Sequence, residues 1–339
     1  MKRRDLLKRG TALGLAAALP GRAQAQQQDG TGVTMRERAT AWLASLNDQQ
    51  RAAALFAFDS RQRRAWNFML GSRPAPGLAL ENMTAAQKDA ALDLLATGTS
   101  ALGLEKARNI MLQQDILRDE WNKGSADRNR ERFSLQIYGT PSATQPWGWR
   151  WEGHHLSLTF TLAEDTVIST TPSAFSSEPN TVPSGPHRGL VVLKDEEALG
   201  RALFTDLTGS AREAALVWSR SPGNIQSARG GEAGLAAELP GIALGDLAPS
   251  HAEIAQQLLE VYIFDVLPDT LARDQRFRLA QHDPAAIRFA WGGADLDGSI
   301  YYRLSGAEFL IEFATLRNQP QHQHAVFHDT IRNFGAHIV

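Results

Sequence analysis

The sequence contains no cysteine among its 339 residues, and this absence excludes several kinds of chemistry. A chain without thiols has no cysteine nucleophile, no iron–sulfur cluster, no thiolate zinc site and no disulfide bond. Stability must therefore come from the burial of apolar surface. A chain of this length can provide it, since about three quarters of the surface exposed on unfolding is buried in the folded state.

The net charge is also small, and long apolar runs are scarce. Lys and Arg number 35 and Asp and Glu number 37, which gives a formal net charge of −2. The charged residues before Gln26 are mostly basic, so the rest of the chain is more acidic than this total. Because an acidic surface repels phosphate, nucleic-acid binding is not expected. Beyond the N-terminal segment no run reaches the ~18 apolar residues of a transmembrane helix, so no membrane span is expected in the mature chain.

Sequence motifs that name a reaction are missing as well. The chain has no Walker-type phosphate loop, no G-x-S-x-G nucleophile elbow, no H-E-x-x-H pair and no dinucleotide fingerprint after a strand. Composition and motifs therefore leave the reaction and the substrate open.

The N-terminal residues form a targeting pattern. Arg3 and Arg4 precede an uncharged apolar run over residues 11–19, and this run is shorter than the ~20 residues that cross a bilayer. It is followed by the small-residue site Ala23-Gln24-Ala25. Paired arginines before such a run are typical of a twin-arginine signal peptide, so we expect the twin-arginine export machinery as a partner and cleavage after Ala25. The mature protein is then periplasmic or secreted.

The sequence as a whole predicts a signal peptide at residues 1–25, a flexible leader at residues 26–34 and one domain over residues 35–339. Apolar residues recur at helical spacing in several blocks, and Thr84 with Gln87 has the form of a capping box. The helical blocks are residues 35–70, 84–97, 104–121, 190–207, 210–218 and 250–267. The proline-rich residues 171–188 are expected to form a long loop.

Strand patterns fall into two groups that are distant in sequence, residues 132–171 and 287–328. Apolar and polar residues alternate in both groups, and residues 299–303 and 308–313 read as a hairpin. Helices come in runs and strands come in runs, which favours an α+β fold over a parallel α/β fold. We expect a mainly antiparallel sheet built from the two strand groups and packed by helices.

Two of the nine histidines are adjacent, at His154 and His155. Trp147, Trp149 and Trp151 share one strand face, whereas the apolar residues that follow His155 have the opposite parity. The chain must therefore turn or bulge near Gly153, and a histidine beside a bulge is well placed as a metal ligand. The alternative is a buried histidine packed against tryptophan.

A second histidine pair lies near the end of the chain, at His322 and His324. Residues i and i+2 of a strand share a face, so the two neutral imidazoles can bind one metal ion. Glu312 on the preceding strand is a candidate ligand, a candidate hydrogen-bond acceptor behind a ligand, or a candidate general base. The alternative for these residues is an exposed polar strand end or a solvated sheet face.

Several segments together carry a family resemblance. They are Tyr138-Gly-Thr-Pro141, Pro146 to Leu158, Tyr302-Arg303, Phe309 to Glu312 and His322-Gln-His324. Over most of the mature chain these residues resemble the domain-of-unknown-function 3500 family. The resemblance implies an exported protein and a pairing of the Gly-His-His segment with the late His-x-His segment, but it names no function. His328 stands where arginine is more common.

Two classes of function remain open from the sequence. The first is a metal-binding protein or metal-dependent enzyme that uses His154, His155, His322, His324 and Glu312. Imidazole suits zinc, copper and iron alike, so the divalent metal is not ranked. The second is a non-catalytic binding module whose tryptophan-rich segment holds a carbohydrate or peptide, although three tryptophans on one strand face are more often core. A structural exported domain without small-molecule chemistry is a third interpretation.

Overall fold

The computed structural model describes residues 30–69, 75–120, 128–227 and 239–338. The predicted signal peptide at residues 1–25 and the first four residues of the predicted leader lie outside this part. The first helix begins at Thr31, inside the segment predicted as a leader and four residues before the helix predicted from Met35.

Eight α-helices are present in the described residues. They are α1 Thr31–Ala44, α2 Asp48–Ala54, α3 Ala85–Thr97, α4 Ala101–Asp119, α5 Lys194–Asp206, α6 Gly209–Ala215, α7 Pro249–Phe264 and α8 Asp269–Leu279. The predicted capping box at Thr84 is present, because its side chain accepts from the amide of Gln87 while the Gln87 side chain accepts from the amide of Thr84. No helix of the described residues is long and apolar enough to span a bilayer.

Thirteen strands within the described ranges form one sheet. They are β1 Leu55–Phe56, β2 Leu78–Ala79, β3 Ser134–Tyr138, β4 Trp147–Gly153, β5 Leu156–Ala163, β6 Thr166–Ser169, β7 Ser173–Ser177, β8 Leu216–Trp218, β9 Ile242–Ala243, β10 Arg288–Gly292, β11 Tyr301–Ser305, β12 Phe309–Leu316 and β13 Gln319–Asp329. Their order is β1-β3-β4-β5-β7-β13-β12-β11-β10-β8, and β2, β6 and β9 pair with β3, β5 and β10.

The sheet is mixed, which corrects the expectation of a mainly antiparallel one. Strand β1 pairs in parallel with β3, and β8 pairs in parallel with β10. The chain passes through α3 and α4 between β1 and β3, and through α7 and α8 between β8 and β10, and such a long helical connection is what lets a chain return in the parallel direction. The α+β class itself is correct.

The two strand groups meet at a strand that the sequence did not predict. Strand β7 lies inside residues 171–188, which were expected to form a loop, and it pairs with β5 on one side and β13 on the other. Its five residues, Ser173–Ser177, fall between Pro172 and Pro179 and contain no proline. This short stretch can therefore complete a hydrogen-bond ladder.

The two faces of the sheet differ in character. Trp147, Trp149 and Trp151 of β4 pack into the apolar core on the side covered by helices. On the opposite side, Arg150 and Glu152 of the same strand are fully buried and form an ion pair at 3.4 Å. We call this second side the polar face.

Two irregular segments cover the polar face. In residues 58–69, the Arg63 carbonyl accepts a hydrogen bond from Arg150, and the Asn67 amide donates to Glu152 at 3.2 Å. In residues 221–227, the Gln226 amide donates to Glu312 of β12 at 2.8 Å. Arg150, Glu152 and Glu312 of this face are therefore buried under protein and hydrogen-bonded to the backbone of the covering segments.

Candidate metal centre

The turn between β4 and β5 positions His155. Gly153 pairs with Leu156, so His154 and His155 form the connection, in agreement with the predicted turn near Gly153. His155 has φ of 75°, in the left-handed region where an L-residue with a β-carbon costs ~1–2 kcal/mol. Its amide donates to the Phe68 carbonyl at 2.7 Å, and its carbonyl accepts from the Ser176 amide at 2.8 Å. These two bonds hold a strained turn and fix the direction of its imidazole.

Strand β13 positions His322 and His324 on the polar face. His324 is paired across the ladder with Ser176 of β7 and with Ala314 of β12. Because residues i and i+2 of a strand share a face, His322 lies beside His324.

The three imidazoles converge on one point. Nε2 of His322 lies 2.8 Å from Nε2 of His155 and 3.1 Å from Nε2 of His324. The three candidate ligand atoms lie within 4.8 Å of one another, and all three residues are buried. Tetrahedral zinc with Zn–N bonds of ~2.05 Å separates its nitrogens by roughly 3.3 Å, so a small outward movement of these rings would accommodate an ion.

The opposite ring nitrogens of His322 and His324 contact neighbouring side chains, whereas Nδ1 of His155 is buried without a hydrogen-bond partner among the described residues. Nδ1 of His324 lies 2.8 Å from Oδ1 of Asn224, and that oxygen also accepts from the Ile225 amide at 2.8 Å. An oxygen only accepts, so Nδ1 of His324 carries the proton and Nε2 presents a lone pair. Nδ1 of His322 lies 3.5 Å from the Glu178 carboxylate, which is itself 3.6 Å from Arg128. A carboxylate or amide oxygen behind the imidazole, as His322 and His324 have, is the usual outer contact of a metal-binding histidine.

Burial keeps the cluster in the form that binds metals. Loss of solvation, followed by the neighbouring histidines, lowers the pKa of both His155 and His324 well below the usual value. Both rings are therefore neutral near pH 7, and a neutral imidazole is the form that donates a lone pair to a metal ion.

His154 takes a different position from the three converging rings. Its ring stacks on that of His155 with centroids 3.7 Å apart, and its Nδ1 contacts Arg128 at 3.1 Å and Gln114 at 2.9 Å. Burial, together with Arg128 and then His322, lowers the pKa of His154 to about 3. Nδ1 of His154 is therefore engaged by Arg128 and by Oε1 of Gln114 and does not face the three converging Nε2 atoms.

Glu312 is also placed apart from the three rings. One carboxylate oxygen accepts from the Gln226 amide at 2.8 Å and from the Tyr301 hydroxyl at 2.7 Å. The other accepts from the amide of Ser227 at 3.0 Å and from its hydroxyl. The carboxylate is thus engaged by four donors, and it touches the segment that carries Asn224 rather than the imidazoles.

His328 and His187 lie outside the cluster. His328 is buried on β13, where its Nδ1 lies 3.0 Å from Nδ2 of Asn333 and its ring meets Trp66 edge-on. Burial lowers the pKa of His328 to about 4. His187 is exposed in the segment after β7.

Sequence reasoning missed the residues behind the rings. Asn224, Glu178 and Arg128 lie in irregular segments, where no periodicity assigns a side chain to a face. The available signal was the proline-rich stretch at 171–188, which contains Glu178, because long loops in compact domains are often functional.

The three tryptophans of β4 form core, which was the more common role expected for such a segment, and not a binding surface. Trp147, Trp149 and Trp151 are all 0% exposed, so no ring of this segment is open to a sugar or peptide.

These observations define the class of the protein, which is an α+β protein with a mixed sheet and a buried three-histidine cluster. The family described as Protein of unknown function (DUF3500) matches residues 28–336, and the chain belongs to this family. No curated protein and no solved structure matches the chain.

Proposed function

We propose that the chain binds one divalent metal ion, zinc, copper or iron, through Nε2 of His155, His322 and His324. The observation that carries this proposal is the convergence of three buried Nε2 atoms, with distances of 2.8 and 3.1 Å to the central one. No other group of three or more histidine, aspartate or glutamate side chains in the described ranges has this proximity.

The protonation states favour an ion over a cluster of hydrogen bonds. His324 presents a lone pair at Nε2 because its Nδ1 proton faces Asn224. If neutral His322 donated from Nε2, its Nδ1 lone pair would face the Glu178 carboxylate. If it instead carries its proton at Nδ1, two lone pairs point at each other 3.1 Å apart. A cation between the rings removes this conflict, since every Nε2 then points at positive charge.

The ligand set leaves room for chemistry. Structural zinc sites have four protein ligands, whereas catalytic ones have three and a position open to water or substrate. Three imidazoles match the second pattern. The more specific proposal is therefore a metal-dependent enzyme, and the less specific one is a protein that binds the metal without catalysing a reaction. The binding-module alternative loses its support because the tryptophan rings are buried.

Metal content tests the proposal. We expect close to one ion per chain, measured by mass spectrometry on purified wild-type protein, and loss of that ion in the His322→Ala, His324→Ala double variant. His187→Ala is the matched control, because His187 is exposed and is not one of the three converging histidines. A metal-free wild type that also fails to take up added zinc, copper or iron would refute the metal centre.

We also propose that the protein reaches the periplasm or the medium through the twin-arginine route. The support is the Arg3-Arg4 pair, the short apolar run and the Ala23-Gln24-Ala25 site. The exported protein should begin at Gln26, and Arg3→Lys, Arg4→Lys should block its export. Export of that variant in normal amount would contradict this route.

A further inference from the structure

We propose that the fourth ligand of the metal ion is a small anion, and that the hydroxyl of Ser176 holds it by a hydrogen bond. This inference rests on the metal centre proposed above and specifies what the centre binds.

Charge balance is the first argument. The three protein ligands are neutral imidazoles, so they leave the double positive charge of the ion uncompensated in a buried site. The Glu178 carboxylate lies behind His322, but Arg128 lies 3.6 Å from it and offsets its charge. Glu312 accepts hydrogen bonds from four neutral donors. The positive charge of Arg303 interacts with this carboxylate and offsets its charge, as Arg128 does for Glu178. Burying an uncompensated charge is costly, so the open position favours an anion over a neutral molecule.

Ser176 supplies the second, independent argument. Its side chain is 0% exposed, and its Oγ has no hydrogen-bond partner among the described residues. Buried hydroxyls are nearly always hydrogen-bonded, so an unpartnered one calls for a ligand.

The strand register aims this hydroxyl at the cluster. Ser176 is paired with His324 across the β7–β13 ladder, and paired residues of antiparallel strands point to the same face. Its neighbour Phe175 packs in the apolar core on the opposite side, as the alternation of the strand requires. The amide of Ser176 donates to the His155 carbonyl at 2.8 Å, which brings the residue next to a second ligand.

The surroundings limit the size of the anion. Phe68 meets the His324 ring edge-on with centroids 5.3 Å apart, and it is 1% exposed. His322, at 9% exposed, is the least buried of the three ligands and marks the side from which the ion can be reached. A monoanion such as hydroxide, azide or a small carboxylate fits these limits better than a large substrate.

Cobalt(II) and azide provide the test in the full chain at pH 7. Cobalt(II) is bound first, and its visible absorption reports both metal binding and exchange of the fourth ligand. We expect azide to change the spectrum in a saturable way. In Ser176→Ala, cobalt affinity should be unchanged, while azide binding should weaken about tenfold or more, the usual loss for one hydrogen bond to a charged group. Ser173→Ala on the opposite face of β7 is the matched control and should bind azide like wild type.

The outcomes separate the two proposals. Cobalt that binds to the three histidines while azide leaves its spectrum unchanged would overturn the anion site and leave the metal centre standing. Equal azide affinity in Ser176→Ala and wild type would overturn the role of Ser176. Failure of wild type to bind cobalt, or equal cobalt binding by the His322→Ala, His324→Ala variant, would overturn the metal centre and the anion site together. A thermal unfolding scan of each variant shows whether any loss comes from misfolding.

Discussion

Among individual residues, His155 occupies the most demanding position of the cluster. Its φ of 75° is one that glycine adopts readily and that few residues with a β-carbon adopt, asparagine, aspartate and histidine being the commonest of them. A histidine there still carries the cost of its β-carbon, and this cost is understandable if the imidazole is needed at that position. The strain and the convergence of Nε2 atoms thus point to the same role.

The His155→Asn variant separates the effect of the backbone conformation on stability from the effect of the imidazole on metal binding. In the presence of a chelator we expect the variant to be as stable as wild type, or more stable by up to about 1 kcal/mol, because asparagine tolerates the left-handed region. Its metal content should fall because the ring is lost. Urea unfolding and metal analysis measure the two effects, and His155→Ala, which loses the ring without easing the backbone, is the control. Full metal content in His155→Asn would exclude His155 as a ligand.

His328 should make the stability of the protein depend on pH. Burial holds its pKa at about 4 in the folded state, below the ~6.5 of an exposed histidine. Between these values the unfolded chain binds more protons than the folded one, so stability falls as the pH decreases from about 6.5 to about 4. The loss from this residue is roughly 2 kcal/mol between pH 6.5 and pH 5.

His328→Gln removes this titration. Urea unfolding at pH 7 and pH 5 should show a smaller drop for the variant than for wild type. Other buried histidines titrate in the same direction, so some drop will remain. An identical drop in both proteins would show that His328 is accessible to protons in the folded state.

Among the secondary-structure elements, the segment 221–227 has the clearest link to the cluster. Glu312 of β12 fixes it through the amides of Gln226 and Ser227, and the same segment carries Asn224 behind His324. Glu312 thus reaches the three-histidine cluster through a chain of contacts. An outer contact of this kind typically changes metal affinity by about 10- to 100-fold.

Glu312→Gln should therefore weaken metal binding by about tenfold without abolishing it. Competition with a chelator of known affinity measures the change. Glu308→Gln, an exposed neighbour on the approach to the same strand, is the control and should bind like wild type. A complete loss of metal in Glu312→Gln, equal to that in the His322→Ala, His324→Ala variant, would instead make Glu312 a direct ligand.

Elements in which apolar residues recur with a clear period could be predicted from the sequence, and elements without such a period could not. Alternation predicts β3 and β5, and the capping box at Thr84 marks the start of α3. Strands β1 and β8 have two and three residues, too few for a period, and they supply the parallel pairs. Helix α8 was missed because charged residues are interspersed along it and its few apolar residues do not form a wide stripe.

Taken as one fold, the protein joins two distant stretches of sequence through β7. Strand β7 lies between β5 and β13, so the turn at His155 and the pair at His322 and His324 become neighbours. The spacing of the pair and the parity change at Gly153 predicted these three residues as ligands. The stacking of His154 and the hydrogen bonds of Glu312 depend on Arg128, Gln114 and residues 226–227, whose positions only the folded chain defines.

X-ray absorption at the edge of the bound metal tests the central claim most directly. For protein carrying its metal at full occupancy, the account predicts three imidazole nitrogens at ~2.0–2.1 Å and one additional light-atom ligand. The number of imidazoles should fall in the His322→Ala, His324→Ala variant if any metal remains. A wild-type spectrum with fewer than three imidazoles, or with a shell made mainly of carboxylate and water oxygens, would contradict the three-histidine centre.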